Sequence, residues 1–156
     1  MNKYNISKKN KGIVVKIIYF NTLTLVSILL FDELNRFDQL FINTILFTNI
    51  LLLHSINNNK NELIDYLHLI IIAGFGCSIY LNNKFMILST LITLLIIQYL
   101  WIKMSKCPMR SMKDTSTDKK NIFIKKIIKL LANNPNFFEN IAMIITLILF
   151  LKLFIN

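Results

Sequence analysis

Two histidines and two carboxylates lie inside, or at the ends of, otherwise apolar stretches of this sequence. They are His54, Asp65, His68 and Glu139. Asp65 and His68 are three residues apart, so they share one face of a helix. Two imidazoles and two carboxylates suit Zn²⁺ or another divalent cation, and they can also relay protons. We therefore treat these four residues as candidates for a metal site or a proton site.

The alternative interpretation is that these four side chains reach water or lipid headgroups. Each lies within about two helical turns of the end of its apolar run, where a side chain can extend to the interface. The sequence contains no HExxH motif, no repeated His pair and no paired Cys that would strengthen a metal site. We therefore assign no catalytic residue and expect no cofactor.

A basic stretch at 119–131 has the sequence KKNIFIKKIIKLL. At 100° per residue, its Phe, Ile and Leu side chains except Ile122 share one broad face, and Lys119, Lys125, Lys126 and Lys129 lie on the other. This pattern predicts an amphipathic helix in the plane of a membrane interface, with its lysines near anionic lipid headgroups. The helix then either anchors its own loop or recruits a partner.

Cys107 follows an apolar run in the sequence WIKMSKCPMR, which makes it a candidate for S-palmitoylation. The alternative is an unmodified thiol beside the membrane. The other cysteine, Cys77, is expected at or near the opposite side of the membrane, so we predict no disulfide.

The elements that must position these residues are long apolar runs, in a chain that is 54% hydrophobic. A helix of 19 residues is about 28 Å long, close to the hydrocarbon core of a bilayer at about 30 Å. The fold class that follows is an all-α membrane protein, a bundle of about five transmembrane helices plus one amphipathic interfacial helix. The predicted spans are 13–31, 40–54, 63–81, 85–102 and 137–155.

The organisation predicted around these spans is simple. Residues 1–12 form a basic cytoplasmic N-terminus, and the first span is an uncleaved signal anchor. Residues 13–102 hold four spans, 103–136 form a basic cytoplasmic segment, and 137–156 hold the fifth span and the C-terminus.

Small and amide side chains within the spans predict how the helices pack. Ala73/Cys77 and Gly74/Ser78 are small-xxx-small pairs, which favour close packing within the bundle or, alternatively, a dimer seam. Three amides, those of Asn43, Asn49 and Gln98, are expected to face other helices.

The distribution of charge predicts the orientation. With the N-terminus in the cytoplasm and five spans, fifteen of the eighteen basic residues fall on the cytoplasmic side. The exceptions are Arg36, Lys84 and Lys152. A net charge of +10 also suggests nucleic acid, but the sequence shows no zinc-finger, RRM or helix-turn-helix pattern, so nucleic acid is not an expected partner.

Three functional hypotheses follow. The first is a structural or interaction role at an anionic membrane surface, with the bilayer and its anionic lipids as partners, and with a homo-oligomer or another protein as a further partner. The second is an oligomeric carrier or channel for small ions or protons that uses His54, Asp65, His68 and Glu139, which are expected near the cytoplasmic end of the bundle. The third is a metal-dependent membrane enzyme, the weakest of the three because no nucleophile–base pair is visible.

Overall fold

The computed structural model describes residues 3–58, 60–104 and 137–155. This part of the chain is helical and contains five α-helices, as expected from the apolar runs. The predicted interfacial helix at 119–131 lies outside the described residues. The helices are α1 (Lys3–Phe31), α2 (Arg36–Asn57), α3 (Asn61–Cys77, continued by a 3-10 turn at Ser78–Tyr80), α4 (Lys84–Met104) and α5 (Phe137–Ile155).

Helices α1 and α2 start four or more residues before their predicted apolar runs. Helix α1 begins at Lys3, so most of the basic stretch 1–12 is helical, which agrees with the high helix propensity of lysine. Helix α2 begins at Arg36 because Asn35 caps it, accepting a hydrogen bond from the backbone N–H of Asp38 at 2.8 Å.

The third run ends differently from the prediction of one helix to Leu81. The α-helix stops at Cys77, and a 3-10 turn of three residues follows. The hydroxyl of Ser78 donates to the carbonyl oxygen of Phe75 at 2.6 Å, inside this tightened turn. Residues 81–83 then lead into α4.

Successive helices run in opposite directions. Asn83, before α4, donates through its side chain to Asp32, after α1, at 2.8 Å. Lys152, near the end of α5, donates to the carbonyl oxygen of Ile79, after α3, at 3.0 Å. The ends of α1, α3 and α5 therefore lie with the starts of α2 and α4 at one end of the bundle, here called the Asp38 end.

The core consists of two hydrophobic clusters that the helices share. Helix α1 contacts α2 and α4, α2 contacts α3, α4 contacts α5, and α5 meets α3 near the 3-10 turn. One cluster joins α1, α2 and α4 to α5 and the residue after the 3-10 turn, and the other joins α1, α2 and α3. The first cluster is Leu25, Ile28, Ile42, Leu81, Met86, Ile87, Leu91, Leu94, Ile145 and Leu149, and the second is Val14, Ile18, Leu52, Ile56, Ile64 and Leu67.

Three of the described helices are long and apolar enough to cross a membrane, judged by length and composition. They contain the segments Lys11–Phe31, Arg36–Asn57 and Lys84–Lys103. Two shorter apolar segments, Tyr66–Tyr80 and Asn140–Ile155, belong to α3 with its 3-10 turn and to α5.

Candidate functional site

The four ionisable candidates are only partly described. His54 is exposed near the end of α2, and the amide nitrogen of Asn58 lies 3.3 Å from each of its ring nitrogens. His68 is half-buried on α3. Asp65 and Glu139 lie in α3 and α5, but their side chains are outside the described part.

No group of three or more His, Cys, Asp or Glu side chains that could hold a metal ion occurs among the residues described. Since two of the four predicted ligands are outside that set, the shared metal or proton site stays a prediction. The lipid-surface residues Lys119, Lys125, Lys126 and Lys129 and the palmitoylation candidate Cys107 also fall in the segment that the structure does not describe.

The carboxylate of Asp38 is the centre of a polar cluster that the sequence analysis missed. Asp38 is only 1% exposed, although it lies in the first turn of α2. Its Oδ1 accepts from the backbone N–H of Asn82 at 3.2 Å, and its Oδ2 accepts from that of Asn83 at 2.9 Å. The side-chain amide of Asn35 also donates to Oδ2, at 3.0 Å.

Asn83 extends this cluster to two more helices. Its Oδ1 accepts from the backbone N–H of Met86 at 3.0 Å, which caps the start of α4. Its side-chain nitrogen donates to Asp32 after α1. The Asp38 carboxylate thereby holds the loop before α4 against the start of α2, and both of its oxygens accept hydrogen bonds. This arrangement fixes the loops at this end of the bundle.

The sequence does contain one indication of a local role for Asp38, which is the spacing Asn35-x-x-Asp38. An Asn at the N-cap followed by an acid three residues later marks a helix start, because each side chain can satisfy a free donor there. That pattern predicts where α2 begins. It does not predict that Asn82 and Asn83 lie against the same carboxylate.

A second polar cluster links α1, α2 and α4 through side-chain amides. The amide nitrogen of Asn49 donates to the Oδ1 of Asn21 at 3.0 Å and to the hydroxyl of Thr22 at 3.1 Å. Asn21 in turn donates to the hydroxyl of Thr93 on α4 at 3.1 Å. A separate bond of 2.8 Å joins the amide nitrogen of Gln98 to the hydroxyl of Thr146 on α5. These bonds connect helices, as expected for Asn49 and Gln98.

Within the single chain, and contrary to the expectation, Asn43 does not face another described helix. Asn43 is exposed on the outside of α2, whereas Asn49 on the same helix is buried. The difference follows from helical geometry, because six residues correspond to about 600° of rotation and place the two side chains on different faces.

The two small-residue pairs of α3 lie on different sides of the helix: one faces the bundle and the other faces outward. Ser78 is buried, and a Cβ added at Gly74 would lie 2.9 Å from the Cδ1 of Ile45 on α2. The Gly74 position therefore allows α3 to approach α2 closely, as predicted. Ala73 and Cys77 are exposed instead, so this second pair lies on the outside of the bundle.

Comparisons with known proteins give no relative: no protein-family model, no curated protein and no solved structure matches this chain.

Proposed function

We propose that this protein is a five-span integral membrane protein with its N-terminus in the cytoplasm, and that its basic cytoplasmic surface binds anionic lipid headgroups. In this role it is a structural or docking protein and not an enzyme. The observation that carries the proposal is the separation of apolar sides from charged ends in the helical bundle.

The sides of the bundle expose large apolar side chains on every one of the five described helices. A water-soluble monomer rarely exposes apolar patches of more than a few hundred Å², whereas lipid solvates such a surface. In α1, only 22% of the apolar stretch within Lys11–Phe31 is buried inside the bundle. Examples from α1 to α5 are Leu23, Phe47, Ile70, Leu95 and Leu147.

Two of the proposed spans, α3 with its 3-10 turn and α5, have short apolar segments. The apolar segment of α5, Asn140–Ile155, is about 24 Å long as a helix, less than a typical hydrocarbon core. Local bilayer thinning accommodates such mismatch at a modest cost. Lys152 also has a partner in the carbonyl oxygen of Ile79, so its ammonium group is satisfied near the Asp38 end.

The charges support the orientation. The Asp38 end carries three acidic and three basic residues, so its formal charge is zero. Connectivity assigns the other fifteen basic and five acidic residues, and hence the whole net charge of +10, to the opposite end. The positive-inside rule then favours a cytoplasmic location for that end.

The same charge asymmetry supports lipid docking. Each lysine held near an anionic leaflet contributes on the order of 1 kcal/mol of attraction. Tyr99 and Trp101 near the end of α4 fit the aromatic belt at this interface, and the ammonium of Lys103 lies 5.8 Å from the Tyr99 ring centroid.

The topology can be tested with single cysteines in a Cys77→Ser, Cys107→Ser background. Asn82→Cys lies at the Asp38 end and Asn58→Cys at the opposite end, and both native side chains are exposed. A membrane-impermeant maleimide should label Asn82→Cys in intact cells and Asn58→Cys only after permeabilisation. The reverse pattern, or recovery of the protein as a soluble monomer without detergent, would contradict the proposal.

Lipid docking can be tested with Trp101, the single tryptophan of the chain. In mixed vesicles, brominated phosphatidylglycerol should quench its fluorescence more than brominated phosphatidylcholine, and high salt should reduce the difference. Replacing Lys125, Lys126 and Lys129 with Gln should also reduce it, whereas Lys84→Gln at the other end should not. Equal quenching by both lipids at low salt would rule out anionic-lipid docking.

A further inference from the structure

The outer face of α2 carries exposed side chains at alternating spacings of four and three residues. Leu40, Phe47 and Ile50 on this face are 67%, 64% and 60% exposed. A repeat of 3.5 residues forms a nearly straight stripe that a second helix can follow along its length. The whole stripe, here called the α2 seam, is Arg36, Leu40, Asn43, Phe47, Ile50, His54 and Asn57.

Asn43 is the member of the α2 seam that needs a partner. Its side chain makes no hydrogen bond to any residue that the structure describes. The neighbouring hydroxyl of Thr44 donates to the carbonyl oxygen of Leu40 at 2.8 Å, and that of Thr24 on α1 donates to Phe20 at 2.9 Å. The hydroxyls on the outside are thus satisfied by their own helices, but the amide of Asn43 is not.

The depth of Asn43 makes this amide costly in lipid. It lies seven residues into α2 from Arg36, about 10 Å along the helix axis. If Arg36 is at headgroup level, as in the proposed orientation, Asn43 lies among the acyl chains. Lipid offers no hydrogen-bond donor there, and an unpaired amide in that environment is unfavourable.

We propose that two copies of this chain pair through the α2 seam, with the two Asn43 amides hydrogen-bonded to each other across a twofold axis. This inference rests on the membrane insertion proposed above. Insertion in one orientation makes the two α2 helices parallel, so Asn43 meets Asn43 and Phe47 meets Phe47. A carboxamide carries both a donor and an acceptor, so it is complementary to a second copy of itself.

The position of Asn43 in the repeat supports a second copy as the occupant. In parallel pairs, an Asn that lies between apolar seam residues fixes the register and the number of helices, and Asn43 lies between Leu40 and Phe47 in the seam. The two Arg36 side chains then lie at the headgroup surface, where water and salt screen their repulsion. The exposed Ala73 and Cys77 on α3 offer no comparable amide.

Crosslinking in native membranes tests the pairing. The variant is Phe47→Cys in the Cys77→Ser, Cys107→Ser background, which keeps Asn43, and the matched control is Phe20→Cys, on α1 at a similar depth and 54% exposed. Copper phenanthroline should convert Phe47→Cys to a disulfide-linked dimer and leave Phe20→Cys monomeric. Equal crosslinking of the two, or crosslinking of Phe47→Cys only to a different protein, would overturn the pairing.

A second measurement uses fluorescence energy transfer between labelled copies diluted into proteoliposomes. Asn43→Leu should raise the dimer dissociation constant about tenfold, because two interhelical amide bonds are lost, and Asn43→Gln should retain part of the affinity. The impermeant-maleimide pattern should stay unchanged in both variants. An unchanged dissociation constant in a correctly inserted Asn43→Leu protein would overturn the pairing and leave the membrane topology intact. A wrong labelling pattern in the wild type would instead overturn the proposed function.

Discussion

The Oδ2 atom of Asp38 accepts a hydrogen bond of 2.9 Å from the backbone N–H of Asn83, 45 residues further along the chain. This contact joins the start of α2 to the loop before α4, and it is made by a carboxylate that is nearly inaccessible. A buried carboxylate needs donors for both oxygens, and the loop backbone supplies them. The pair therefore fixes how the α1–α2 hairpin meets the α3–α4 hairpin at the Asp38 end.

Asp38→Ala should lower the free energy of unfolding by about 1–3 kcal/mol, because it leaves the backbone N–H groups of Asn82 and Asn83 without their acceptor. The measurement is unfolding in mixed micelles of rising SDS content, followed by Trp101 fluorescence. Glu33→Ala, which removes an exposed acid from the loop before α2, should change stability by less than about 0.5 kcal/mol. Similar losses in the two variants would show that only local charge matters.

Asn49→Leu should destabilise the bundle by about 1 kcal/mol in the same unfolding measurement. It removes the bonds to Asn21 and Thr22 that connect α2 to α1. Asn43→Leu is the matched control on the same helix. In dilute detergent, where dimers dissociate, it should leave stability unchanged because Asn43 is exposed. A larger loss for Asn43→Leu than for Asn49→Leu would contradict the assignment of the two faces.

Gly74→Leu should lower the free energy of unfolding by about 1 kcal/mol, because a leucine at this position forces the terminal methyl of Ile45 on α2 to move, and this overpacking outweighs the gain in helix propensity. Gly76→Leu is the control: no atom lies within 4 Å of its added Cβ, and replacing glycine in a helix gains up to about 1 kcal/mol. Adding Ile45→Ala to Gly74→Leu should recover part of the loss if the two side chains compete for the same space. If the double variant is no more stable than Gly74→Leu alone, the leucine clashes with a residue other than Ile45.

Lys152→Met should reduce stability by about 1 kcal/mol, since it removes the donor to the carbonyl oxygen of Ile79. Lys152→Arg keeps a charged donor and should lose less. Lys84→Met is the control, because Lys84 is exposed at the same end of the bundle. Thermal unfolding in detergent gives the comparison, and equal effects of Lys152→Met and Lys84→Met would argue against this contact between α5 and α3.

Proton flux separates the docking role from the carrier hypothesis. Proteoliposomes with wild-type protein should show the same flux as empty liposomes, measured with an entrapped pH-sensitive dye. His68→Ala and Asp65→Asn should leave that flux unchanged. Flux present in the wild type and lost in both variants would favour a carrier that uses the polar residues predicted from the sequence.

The sequence by itself determined the helical class and the approximate helix positions. A long unbroken apolar run favours a helix, because a helix pairs its own backbone N–H and C=O groups. It also determined the charge distribution on which the orientation depends. The prediction that Asn49 and Gln98 bond to other helices followed from amides placed within apolar runs.

Only the tertiary structure decided which helix faces turn inward. Asn43 and Asn49 have the same side chain and lie in the same helix, yet one is outside and the other is buried. The burial of Asp38 could not be predicted from the sequence either, since its partners Asn82 and Asn83 are more than 40 residues away along the chain. Helical periodicity fixes the angle between two residues of one helix, but the rotation of that helix is set by the packing of its neighbours.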